Sequence, residues 1–421
     1  MIKTFEILPG ITLRCFPDDR FRQGCLSVQL VRPMREEEAA MNALLPSVLL
    51  QGTRHYPDLR AITRHLEGLY GTGISPMVRR VGDCQVTGIY CGFMDDRFAL
   101  PGDQVLLPVL EFVRELLTEP LTRGDSFLPD IVEREKTNLI SLIQSEKNDK
   151  AVYAMNRLLR AMCRGDSFGI PRLGDVPMVE AVDGKKLYRH YREILKTSPI
   201  ELFYAGSMAE ETLIPALERI FGDIPRAPEP MPAQTPLRVS GGGELTETME
   251  VSQGKLCMGF VTPVTNRSEE FAAMQVMNTL FGGGMTSRLF VNVREKLSLC
   301  YAVSSSYYSM KGIVTVSAGV DFDKEPAARQ EILRQLDAVC RGAFTRQELE
   351  AARQSLLSGL RGVEDSPGSI EGYYATAGIS GIRRTAGEHA DAIRAVTAQQ
   401  VAEAANTLRL HTTYFLRGES L

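Results

Sequence analysis

The residues of this chain that could hold a metal or act as a nucleophile are spaced against both roles. Its five histidines, His55, His65, His190, His389 and His411, come no closer than ten residues to one another. None forms the i, i+4 pair with which a helix clamps a metal ion. His55 and His65 lie beside the apolar segment 43–50 and are the two candidates for a ligand role, although each also reads as part of its local structure. The eight cysteines, at 15, 25, 84, 91, 163, 257, 300 and 340, include no CxxC spacing. Several sit in apolar text, such as Cys91 in GIYCGF and Cys257 in KLCMGF, and so read as buried free thiols in a reducing compartment. A Cys/His nucleophilic pair stays open, but no local feature marks an activated cysteine. Glu133, Glu135 and Glu146 read as the solvated face of one helix. The run Gly282-Gly283-Gly284-Met285-Thr286-Ser287 lacks the lysine of a phosphate-binding loop and follows a helical pattern, so it reads as a helix C-cap and turn.

The elements that must position such residues follow from length and periodicity. A chain of 421 residues exceeds one hydrophobic core and fits two domains of about 200 residues. A net charge of -4 gives no electrostatic case for nucleic acid or an anionic membrane. The start MIKTFEILPG lacks the apolar stretch of a signal peptide, and the apolar runs are too short to span a bilayer, which together with the unpaired cysteines leads us to expect a cytoplasmic protein. Pro225, Pro228, Pro230, Pro232 and Pro236, followed by Gly241-Gly242-Gly243, form an extended linker. The expected division is a domain at 1–225, the linker at 226–243 and a domain at 244–421. The two halves repeat. Residues 25–42 and 255–272 both read as strand, turn at a proline and acidic helix start, at an offset of 230. Residues 66–96 and 297–323 repeat near 231, which is the mark of a duplicated domain. Helical periodicity falls at 105–118, 130–145, 150–163, 325–342, 346–361 and 388–407. Strands are expected at 25–31, 85–93, 200–206, 256–261, 312–320 and 411–416. Strands and helices in blocks predict α+β: two homologous domains, each an antiparallel sheet with helices packed on one face.

Two segments resemble one family. Ala43 to Thr53 reads ALLPSVLLQGT and resembles the zinc-binding helix of the insulinase/pitrilysin metallopeptidases, where His-x-x-Glu-His precedes a short apolar run and Gly-Thr. Aligned on Gly52-Thr53, the two histidines fall on Ala43 and Ser47 and the glutamate on Pro46. None of the three offers the imidazole or carboxylate that zinc requires. The family's third ligand is a glutamate seven residues after another glutamate; counted from Glu135, that position is Leu142. The stretch from Leu280 to Tyr301 resembles the family's C-terminal domain, with a glycine turn, Ser287-Arg288-Leu289-Phe290, Arg294-Glu295-Lys296, and a tyrosine seven residues after the arginine.

The resemblance covers nearly the whole chain, and it implies a two-domain, processing-peptidase-like member that has lost its zinc motif. It implies that Arg294 and Tyr301 bind substrate by donating to peptide carbonyl oxygens or to the developing oxyanion. A guanidinium fork and a phenolic hydroxyl suit that task. It further implies a non-catalytic subunit, without a cofactor of its own. The partner would be a subunit of similar size that carries the zinc and shares a peptide substrate, and a homodimer is possible when the chain is isolated. Two other readings stay open: a peptide-binding or scaffold protein without proteolysis, and an autonomous hydrolase with unrecognised catalytic residues.

Overall fold

Alternating apolar and polar residues become eleven strands in the computed structural model, which describes residues 2–237 and 242–418. They are β1 (Lys3–Leu8), β2 (Ile11–Pro17), β3 (Gln23–Pro33), β4 (Gly73–Val81), β5 (Cys84–Met94), β6 (Ile200–Gly206), β7 (Gly243–Met249), β8 (Gly254–Val261), β9 (Ala302–Tyr308), β10 (Ile313–Val320) and β11 (Arg409–Gly418). They form one six-stranded sheet, in the order β1-β2-β6-β3-β5-β4, and one five-stranded sheet, in the order β7-β11-β8-β10-β9.

Removing the edge strand β1 makes the two orders equivalent, β2-β6-β3-β5-β4 against β7-β11-β8-β10-β9, so the duplication read in two short segments extends through both sheets. The fold class is α+β as expected, but the sheets are mixed. β2 pairs parallel to β6, and β7 pairs parallel to β11. These strands are added from outside the repeated hairpins, and the parallel pairing follows from their long connections.

The chain forms two compact units, each drawn from both halves of the sequence. The first takes the described residues of Met1–Ile143, Ile170–Gln234 and Val363–Thr385. The second takes those of Gln144–Gly169, Thr235–Gly362 and Ala386–Leu421. In the first unit one face of the sheet carries the main core. There the helices Glu36–Leu49, Leu106–Thr118, Gly184–Thr197 and Glu210–Phe221 bury residues such as Leu44, Leu110, Leu187 and Leu217. The opposite face is covered by a helix from late in the chain, Pro367–Ile379. Its Ile370, Tyr374 and Ala375 pack on Phe16, Cys25, Phe203 and Ala205. Beneath that helix the carboxylate of Glu371 accepts hydrogen bonds from Ser27 Oγ (2.9 Å) and Gln29 Nε2 (2.9 Å), and pairs with both guanidinium nitrogens of Arg79 (2.9 and 2.8 Å).

The second unit has the same plan. Helices Phe271–Gly282, Glu325–Cys340, Arg346–Arg361 and Ala398–Asn406 line the main core. The opposite face carries the helix Lys150–Met162 from the first half of the sequence, whose Ala154 and Leu158 pack on Cys257, Tyr414 and Leu416. That helix lies so close to β8 that a Cβ on Gly259 would meet Met162 Sδ at 2.6 Å. Helices on one face thus describes only the main layer, since among the described residues each sheet carries a further helix on its other face.

A division into continuous halves at 226–243 misses these two exchanged helices, because amphipathic periodicity says which face a helix buries and not which sheet receives it. Residues 238–241 of the linker lie outside the described residues. The pattern at 388–407 resolves into two helices, Ala386–Ala395 and Ala398–Asn406. They are separated at Thr397, whose side chain forms a capping box with Gln400 and so starts a new helix. Among the described residues no helix is long and apolar enough to cross a membrane.

Candidate functional site

The helix Glu36–Leu49 opens with Glu36, Glu37 and Glu38, acidic side chains that favour a helix N-terminus. Its next turns are buried nearly all round. Ala43 is 4% exposed and belongs to the main core. Pro46 lies inside the helix, where it lacks the N–H that would bond the carbonyl of Asn42. The hydroxyl of Thr87 on β5 supplies the missing donor, 2.6 Å from Asn42 O.

The Asn42 side chain extends this repair into a buried network. Its Nδ2 donates to Gln85 Oε1 (2.9 Å), and Gln85 Nε2 donates to Ala39 O (2.9 Å) and Arg172 O (2.8 Å). Since Asn42 Nδ2 is engaged as a donor, His190 Nε2 donates to Asn42 Oδ1, at 2.7 Å. Burial lowers the His190 pKa to about 4, so the imidazole stays neutral near pH 7. His190 is therefore a structural donor within this network.

Ser47 is half-exposed, and its carbonyl accepts from Gln51 Nε2 (3.2 Å), while Gln51 Oε1 accepts from Arg134 (2.7 Å). On the helix Pro129–Asn148, Glu135 is buried against Arg134 (3.3 Å) and Asn138 (3.1 Å). Leu142, at the third ligand position, is 48% exposed. Glu133 pairs with the buried Lys136 (3.0 Å), and the burial of Glu135 departs from the solvated helix face expected for this stretch. His55 faces Glu115 at 3.1 Å, and His65 bonds Tyr56 Oη at 3.1 Å while packing against Phe112. Among the described residues no group of three or more His, Cys, Asp or Glu is placed to hold a metal ion. The residues at the motif positions do not fit zinc.

The second unit brings Arg294 and Tyr301 to one place. The helix Phe271–Gly282 ends at Gly283, as a C-cap reading requires, and Gly282 lies where a Cβ would meet Ser305 Oγ at 2.6 Å. A π-helical segment, Leu289–Lys296, follows. Arg288 anchors it by donating to Gln335 Oε1 (3.1 Å) and Glu348 Oε1 (2.9 Å). Arg294 stands in the last turn, with its guanidinium 4.6 Å above the Phe290 ring. Ser298 then adopts a left-handed backbone (φ +49°), which turns the chain into β9. Tyr301 N–H donates to Gly319 O at 2.9 Å, fixing the tyrosine at the start of the β9–β10 pairing.

Arg294, Tyr301, Asp321 and Lys324 line one open hollow of about 380 Å³. Tyr301 is 61% exposed, and its hydroxyl donates to Asp321 Oδ1 at 2.9 Å. Lys324 pairs with the other carboxylate oxygen of Asp321 at 3.0 Å. Hydrogen bonds from Lys324 and Tyr301 hold the Asp321 carboxyl below the usual carboxylate range. The bond to Asp321 raises the Tyr301 pKa, so its hydroxyl remains a proton donor. Burial pushes the Cys300 thiol up to about 11, which removes a thiolate from the same hollow. What remains is a polar hollow open to solvent, in which Tyr301 and Lys324 are tied to Asp321 and Arg294 lies 3.6 Å from Glu295. Motif spacing pointed to Arg294 and Tyr301. Asp321 and Lys324 escaped it because strand pairing, not sequence proximity, carries them there.

Residues 181–356, which include Arg294 and Tyr301, match the family model described as the peptidase M16 inactive domain. The probable inactive metalloprotease YmfF of Bacillus subtilis (strain 168) is 26% identical over 409 residues, covering 97% of this chain and 96% of its own. Over these spans the chain is similar to M16 peptidases. A crystal structure of a conserved protein from Enterococcus faecalis V583 shares its architecture with a TM-score of 0.92 at 26% identity, over 100% of this chain and 99% of that one. The peptidase M16 inactive domain from Pseudomonas fluorescens superposes with a TM-score of 0.81 at 16% identity over 100% and 98% of the two chains, which speaks for the fold alone. The chain has no metal-ligating side chain at Ala43, Pro46 and Ser47 and has Arg294 and Tyr301 on a common hollow.

Proposed function

We propose that this chain is the non-catalytic subunit of a zinc-dependent peptidase. It binds and positions an extended peptide for a partner subunit of similar size that carries the zinc site. The observation that carries this reading is the contrast between the two places just described. Alanine, proline and serine occupy the motif positions beside a buried hydrogen-bond network, while a half-exposed arginine and an exposed tyrosine line one hollow. The zinc of the partner would supply the activated water. Arg294 contributes a charged fork for a peptide carbonyl, and Tyr301 a hydroxyl on a rigid ring.

The relatives in one organism support the split. Bacillus subtilis (strain 168) has the probable inactive metalloprotease YmfF and also an uncharacterized zinc protease, YmxG, which is 23% identical to this chain over 315 residues, 73% of this chain and 76% of its own. The peptide would pair with a sheet edge through its backbone, which binds without strict sequence preference. A cytoplasmic setting suits a chain of free cysteines.

The test is Arg294→Ala in the assembled enzyme. Losing a donor aimed at developing negative charge is expected to lower turnover by about a hundredfold. Assembly, followed by size-exclusion chromatography, should be unchanged. Turnover equal to that of the unsubstituted complex would leave a scaffold without a role in proteolysis as the better reading.

A further inference from the structure

The first unit has a second hollow that the proposed function does not use. It measures about 430 Å³ and lies beside the turn that follows the degenerate helix, with Arg54, Glu119, Thr122, Tyr188, Tyr191 and Arg192 on its walls. We propose that it binds a small ligand carrying a carboxylate or phosphate group on an aromatic body.

The walls are built before any ligand arrives. Leu121 N–H donates to Gly52 O (3.1 Å), and Arg54 N–H donates to Glu119 O (3.0 Å), which fastens the Gly52-Thr53-Arg54 turn to the segment 119–122. The crossing is tight at Gly52, where a Cβ would lie 3.1 Å from the Pro57 backbone and 3.2 Å from Leu121 Cδ2. Tyr191 Oη donates to Leu117 O (2.7 Å), and the rings of Tyr188 and Tyr191 both pack edge-on to Phe127, at 5.8 and 5.6 Å. Preformed concave sites with a few convergent polar groups are the usual form of a small-molecule site.

The polar groups select the ligand. Neither the Arg54 nor the Arg192 guanidinium has a hydrogen-bond or ion-pair partner among the described residues, and both are exposed. The one carboxylate on the wall, Glu119, is already faced by Arg114 at 3.5 Å, which also pairs with Asp223 at 2.6 Å. The hollow therefore presents two uncompensated guanidinium forks, whose planar geometry matches carboxylate and phosphate oxygens. The hydroxyl of Tyr188 makes no hydrogen bond among the described residues, and its half-buried ring offers a flat surface for an aromatic body.

The experiment is calorimetric titration of the full-length protein with phenyl phosphate and with benzoate. Inorganic phosphate and benzyl alcohol serve as probes of the anion and the ring alone. Saturable binding of one or both aromatic anions is expected, weaker binding of inorganic phosphate, and none of benzyl alcohol. Arg54→Ala and Arg192→Ala should each weaken it about tenfold, the scale of one charged hydrogen bond, and the double variant should abolish it. Tighter binding of phenyl phosphate identifies phosphate as the recognised group, and tighter binding of benzoate identifies carboxylate. Both arginines are exposed, so an unchanged melting temperature is expected and confirms that the variants fold. The proposal is overturned if neither anion binds saturably, if the double variant binds as well as the parent, or if benzyl alcohol binds as tightly as benzoate.

Discussion

At the scale of single residues, the telling feature is how the residues aligned with the family's zinc motif are accommodated. A serine and a buried alanine stand where imidazoles would stand, and a proline has taken the glutamate position. The proline leaves the Asn42 carbonyl without its helical donor, and Thr87 supplies one. Next to that repair, His190 is held neutral. Its folded pKa of about 4 lies below the unfolded value near 6.5. Below pH 6.5 the unfolded chain gains a proton that the folded chain refuses. The stability from this group is thus fully present above 6.5 and is lost as the pH falls towards 4. The gap between those two values corresponds to roughly 3 kcal/mol. His190→Gln keeps a donor for Asn42 but does not titrate. Denaturant unfolding at pH 7 and at pH 4.5 should show the variant losing less stability than the parent over this interval. Equal losses would show that His190 is not buried as neutral imidazole. The residues aligned with the motif are legible in the sequence because they fall at fixed spacings from Gly52-Thr53. The Asn42–Gln85–Thr87–His190 network was not, because its members come from two helices and a strand that are distant in sequence.

At the scale of elements, Pro46 and Thr87 form a pair whose coupling can be measured. Thr87→Val leaves Asn42 O buried without a donor and should cost about 1–2 kcal/mol. In a Pro46→Ala background the restored N–H can bond the same carbonyl, so the same substitution should cost well under about 0.5 kcal/mol by comparison. Equal costs in the two backgrounds would mean that the hydroxyl does not repair the helix. Most strands and helices were legible from their periods, including β6 as IELFYAG, whereas the π-helical segment Leu289–Lys296 falls outside the helical periods. Others were lost to local chemistry. The capping box at Thr397 divides one periodic stretch into two helices, and β2 and β7 enter their sheets parallel, which periodicity does not report. Repetition at the level of elements also bears on Tyr301. Tyr70, at the matching offset of 231, also bonds an aspartate, but Asp103 does not fall at the offset of Asp321, so the two ties are not equivalent. What sets the second repeat apart is the arginine in the preceding turn, since residue 63 is a threonine where the offset from Arg294 falls.

At the scale of the whole molecule, each sheet is completed by a helix encoded in the other half of the chain. A fragment of residues 1–237 lacks the helix Pro367–Ile379, which uncovers Phe16, Phe203 and Ala205 and leaves Arg79 without Glu371. Expressed alone, it is expected to bind a hydrophobic dye and to lack a cooperative melting transition. A soluble fragment that melts as sharply as the full chain would show that the exchanged helix is dispensable. The two-domain plan was legible from the repeat and the proline-rich linker, but the exchange was not, since the same amphipathic helix satisfies either sheet. The partner belongs to this scale too. The most direct measurement is affinity capture of the tagged protein from the cells that make it, with the eluate identified by mass spectrometry and assayed on a quenched peptide with and without a chelator. Recovery of a chain of similar size bearing His-x-x-Glu-His, with cleavage that the chelator abolishes, is the result expected of a substrate-positioning subunit. Recovery of the protein alone, without cleavage, would contradict that function.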